Sequence, residues 1–75
     1  MVAKKGLIME MGEAGKLLVE DICVVKGVEY IVFYSVTNNM FAIATEEMVN
    51  GEPQYNFLDQ EQAVKVAKEI DKLKG

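Results

Sequence analysis

The chain has 75 residues and a net charge of −4, with eight Lys against twelve Asp and Glu, one Cys, no His and no Arg. One Cys excludes an intramolecular disulfide, and one Cys without His excludes the common zinc sites. An acidic chain without Arg is poorly suited to duplex DNA or an anionic membrane, because nothing clamps phosphate or guanine with two parallel hydrogen bonds.

A chain of this length builds one small core and buries roughly 60% of its unfolded surface, so association with a partner is the natural added support. The reading is one domain over residues 1–75. No stretch reads as a secretory signal, and the apolar runs are far too short to span a bilayer. A cytoplasmic setting is the expectation, and a free Cys is in keeping with it.

Turn signals recur about every ten residues, which predicts an antiparallel meander. Strands are expected over 5–11, 16–25, 28–36, 40–48 and 54–58. The turns between them are "GEAG" (12–15), "KG" (26–27), "TNN" (37–39) and "NGEP" (50–53). Asn50-Gly51 is the strongest hairpin signal, since both residues tolerate the positive φ of a type I′ turn. The period then changes. "DQEQAVKVAKEIDKL" puts Ala63, Val66, Ala67, Ile70 and Leu73 on one stripe, which predicts a helix over 60–73. Asp59 is placed to cap it, with Gln62 three residues on, and Glu61 and Lys65 stand at the i, i+4 spacing of a helix ion pair. The fold class expected is α+β: a meander of about five strands with one C-terminal amphipathic helix packed on it.

Closing each hairpin with a two-residue loop assigns the strand residues to two faces. One face collects Leu7, Met9, Met11, Leu18, Ile22, Val24, Ile31, Phe33, Ala42, Ala44, Met48, Tyr55 and Phe57. Small Ala42 and Ala44 leave room there, so the helix is assigned to this face. The other face collects Ile8, Leu17, Val19, Cys23, Val25, Val28, Tyr30, Val32, Tyr34, Val36, Phe41 and Ile43, with its apolar residues concentrated on strands two to four and bounded by Glu10, Gln54 and Asn56. An apolar centre with a polar margin is the anatomy of an interface. Val19, Tyr30, Val32, Tyr34 and Phe41 are therefore the expected contact residues between chains. The alternative is a sheet that curls into a half-barrel and buries one face by itself.

Candidate chemistry is sparse. Cys23 lies between Ile22 and Val24 in a strand with no His or Arg to activate it, and reads as a small buried hydrophobe. Ser35 and Thr45 have no His base. Glu46 and Glu47 are adjacent on a strand and so point to opposite faces. "GEAGK" (12–16) lacks the upstream Gly and the Ser or Thr of a phosphate loop, and reads as a hairpin turn. No catalytic, cofactor or metal residue is assigned. Residues 1–58 hold four Lys against eight acids, so the sheet carries the whole net charge and suits a basic protein partner. The expected function is a non-enzymatic, homodimeric interaction module that regulates or inhibits a protein partner. The alternative is a single-stranded nucleic-acid binder stacking bases on Tyr30, Tyr34 and Phe41, which the acidic sheet disfavours.

Overall fold

The computed structural model describes residues 2–74. Five strands, β1 (Ile8–Glu10), β2 (Lys16–Val25), β3 (Val28–Ser35), β4 (Met40–Val49) and β5 (Glu52–Phe57), precede one helix, α1 (Gln60–Lys74). Every neighbouring pair is antiparallel and the order in the sheet is the order in the chain. The architecture is the expected α+β meander with a C-terminal helix, and the sheet curls into a half-barrel. β1 is shorter than the 5–11 expected, although its pairing continues outward through Gly6 N–H to Val19 O and Val19 N–H to Leu7 O, both at 2.8 Å.

Two turns form as the sequence predicts. Val25 faces Val28 around Lys26-Gly27, and Val49 faces Glu52 around Asn50-Gly51. All four central residues have positive φ, as a type I′ turn requires. The other two turns differ. The first is a single 3₁₀ turn, Gly12–Ala14, which pairs Met9 with Leu17 instead of Leu18. The third spans residues 36–39, where Ser35 Oγ accepts the Asn38 N–H at 3.3 Å. That loop shifts the register by two, which leaves the faces unchanged.

A bulge in β2 corrects the face assignment. Val19 faces Phe33 and Asp21 faces Val32, so Glu20 is an extra residue without an opposite number. One such residue reverses the facing of everything before it in the strand. Leu17 and Val19, expected outside, therefore point inward, and Leu18 points outward. For β1 the bulge and the first turn offset each other, so Met9 and Met11 stay on the inner side as expected.

The interior holds Ala3, Leu17, Val19, Ile31, Phe33 and Ala44, with Met9, Met11, Ile22, Ala42 and Tyr55 packed against them. Val19, Ile31 and Phe33 are 0% exposed. Phe33 meets Tyr55 edge-on at 5.7 Å between ring centroids and Phe57 at 5.6 Å. The centre of this concave face is covered by the sheet's own curl and by the chain at Ala3, while Val24, Met48 and Phe57 at its margins stay about half exposed. The helix does not pack on it, so the assignment of α1 to the Phe33 face is wrong. The helix lies on the convex face, where it shares grooves with Val25, Tyr30, Val32, Phe41 and Ile43. Ile70 is its buried anchor, as the apolar stripe implies, and Val25 and Ile43 are buried on the sheet below. Asp59 Oδ1 accepts the Gln62 N–H at 2.8 Å and caps the first turn. Glu61 and Lys65 pair at 3.7 Å on the exposed side.

Candidate functional site

The register across the sheet groups the convex side chains into rows. One row, Asp21–Val32–Ile43, runs alongside the helix and lines a groove with Ala67 and Ile70. Lys74, at the end of α1, donates to Asp21 Oδ2 and pins the helix to the sheet. This contact holds the Asp21 carboxyl below its usual range. Burial, with the nearby Asp21 charge added, pushes the Cys23 thiol up, away from the nucleophilic thiolate.

The next row is Ile8–Leu18–Tyr34–Phe41, one residue from each of four consecutive strands. The helix does not reach across it. Ile8 at one end is 63% exposed and Phe41 at the other is 64% exposed, while Leu18 and Tyr34 between them are half-buried. The Tyr34 and Phe41 rings stand 5.1 Å apart, tilted by 52°, and the Tyr34 hydroxyl donates to Asn39 Oδ1 at the end of the third loop. Glu10 faces Lys16 one step further out and gives the row a charged border. Towards the helix, Phe41 continues into an open apolar groove of about 460 Å³ with Leu58, Ala63, Val64 and Ala67.

The five expected contact residues thus separate. Tyr34 and Phe41 fall in the uncovered row. Tyr30 and Val32 are half-buried beside the helix. Val19 lies in the barrel interior with no exposed surface. Ile8 and Leu18 complete the row, and neither was singled out from the sequence. Ile8 was placed on the correct face by pattern alone, whereas finding Leu18 required knowing the bulge at Glu20.

On the other flank of the helix lies a different surface. Val25, Val28, Tyr30 and Val66 line a groove of about 450 Å³ that also takes in Lys26, Lys65, Lys68, Lys72 and Glu69. The 12–16 stretch forms the first hairpin turn, as read from the sequence. Among the described residues, no three His, Cys, Asp or Glu side chains are grouped to hold a metal. Among those residues, too, no helix is long and apolar enough to cross a membrane. No family model, curated protein or solved structure matches the chain.

Proposed function

We propose that this chain is a non-enzymatic interaction module of the cytoplasm that works as a homodimer, joined through the row Ile8–Leu18–Tyr34–Phe41. The observation that carries the reading is the position of that row beyond the helix, with Ile8 and Phe41 at its ends largely exposed. The row is self-complementary. A two-fold axis passing between Leu18 and Tyr34 sets Ile8 against Phe41 of the partner subunit and Leu18 against Tyr34 of the partner subunit, aliphatic on aromatic at both ends. Tyr suits such a contact, because its ring buries area while its hydroxyl reaches a polar group.

Surface area supports the same reading. The chain exposes 5376 Å². A folded monomer of 8.4 kDa is expected to expose about 4,600 Å². The excess, roughly 800 Å² over the whole chain, is similar in size to one partner's share of a standard interface. The net charge of −4, carried by the sheet segment, suits a basic protein as the regulated partner.

Light scattering after size-exclusion chromatography tests the dimer. At about 100 μM, a concentration at which a micromolar interface is filled, the wild type is expected at twice 8.4 kDa and Phe41→Glu at the monomer mass with an unchanged circular dichroism spectrum. A monomeric wild type at that concentration overturns the reading.

A further inference from the structure

The groove on the other flank of α1 departs from the acidic character of the chain. Its lining carries four Lys and one Glu, a net +3 on a protein whose net charge is −4. Lys26 stands in the β2–β3 turn, some forty residues from Lys65, Lys68 and Lys72, and folding brings the four together. Lys65 pairs with Glu61 at 3.7 Å and Lys72 with Glu69 at 3.6 Å. Among the described residues, Lys26 and Lys68 have no carboxylate within ion-pair distance. Beyond the Debye length of about 8 Å, charges elsewhere on the sheet are largely screened, so a ligand in the groove meets the local lysines first.

We infer that this groove binds a short acidic segment of a partner protein that carries an apolar residue among its carboxylates. Val25, Val28, Tyr30 and Val66 supply an apolar surface for one aliphatic side chain, and the lysines stand where flanking carboxylates would reach them. Lys65 and Lys72 are seven helical residues apart, about 10 Å along the axis. An extended peptide covers that distance in about three residue steps, which matches two carboxylates at i and i+3 with an aliphatic residue between them. A single-stranded nucleic acid fits less well. It stacks on several aromatic faces and is a long polyanion, whereas the groove offers one half-buried ring and four lysines, a site of peptide length. The inference does not depend on the dimer, because the groove and the row Ile8–Phe41 lie on opposite flanks of the helix.

Fluorescence anisotropy with a labelled Glu-Glu-Leu-Glu-Glu peptide, blocked at its far end, is the test. Saturable binding is expected at about 50 mM salt and weaker binding at about 300 mM. The double variant Lys26→Glu/Lys68→Glu should raise Kd by about tenfold or more, while Phe41→Glu leaves Kd unchanged even if it splits the dimer. Lys26 and Lys68 are exposed, so the variant is expected to keep its fold. Should it unfold, Lys26→Ala/Lys68→Ala replaces it, with the same direction expected. No saturation by about 1 mM peptide, equal binding by the lysine variants, or equal binding of the Leu→Gly peptide overturns the inference. Tighter binding of a ten-nucleotide oligo-dT than of the peptide also overturns it and assigns the groove to nucleic acid.

Discussion

The Tyr55 hydroxyl donates to Glu46 Oε1 at 2.8 Å, and the same carboxylate accepts the amides of Val2 and Ala3 at 3.0–3.1 Å. One side chain thus ties the start of the chain across the open side of the half-barrel, where Ala3 is buried against the core. Substituting Glu46→Ala removes the acceptor and leaves three donors to find water. The expected cost is about 1–3 kcal/mol, read as a lower denaturation midpoint in urea. An unchanged midpoint would mean that the tie adds nothing to the folded state.

The same pair predicts behaviour in alkali. Burial and the Glu46 charge push the Tyr55 phenol up to about 12. In the unfolded chain it titrates near its ordinary value of about 10. The unfolded state therefore releases this proton first, and the stability that Tyr55 contributes is present below about pH 10 and lost as pH rises towards 12. Absorbance titration of the wild type minus Tyr55→Phe should show one phenolate forming near pH 12. A difference spectrum with its midpoint near 10 would place Tyr55 in solvent.

In acid the sign is opposite. Lys74 holds the Asp21 carboxyl low. For Glu46, burial alone would raise the carboxyl, but the Val2 and Ala3 amides and the Tyr55 hydroxyl together outweigh it and bring it below its ordinary value. A depressed carboxylate contributes stability above its unfolded pKa of about 4 and loses it as pH falls through the folded value. Unfolding below about pH 4 should begin at the Val2–Ala3 tie and the end of α1. Amide exchange of Ala3 and of the last helical turn should therefore accelerate before that of Phe33. Simultaneous loss of protection at all three would refute this order.

Core substitutions separate the two faces of the sheet. Phe33→Ala is expected to cost about 3–5 kcal/mol and Ile70→Ala about 2–5 kcal/mol. Val19→Glu should abolish folding, because it buries a charge with no partner inside the barrel. A folded Val19→Glu monomer would instead move Val19 to the surface where the strand pattern alone had put it.

That last contrast marks how far the sequence could be read. The helix, its Asp59 cap, the meander order and the two turns at Lys26-Gly27 and Asn50-Gly51 follow from local chemistry, because a cap or a type I′ turn is decided by a few neighbouring residues. The bulge at Glu20 is decided elsewhere, by how far the sheet must bend to enclose Phe33, and no residue near it signals an extra position. Misplacing it put Val19 outside and Leu18 inside. The same limit hid the row from Ile8 to Phe41, since a row needs three registers correct at once. The lysine groove was invisible for a related reason. Lys26 and Lys68 become neighbours only once the helix is known to lie on the convex face.

Glu20 itself is exposed and stands opposite no partner residue, so the fold makes little use of which side chain stands there. It depends on the count. Removing position 20 would still leave Val19 beside Phe33 and Asp21 beside Val32, but it would straighten β2 and lessen the bend that closes the sheet over its own interior. A library that both randomises and deletes this position should return folded chains with nearly any residue at 20 and few that lack one. Natural relatives, by the same logic, would drift freely in identity at this site while keeping the spacing between Val19 and Asp21.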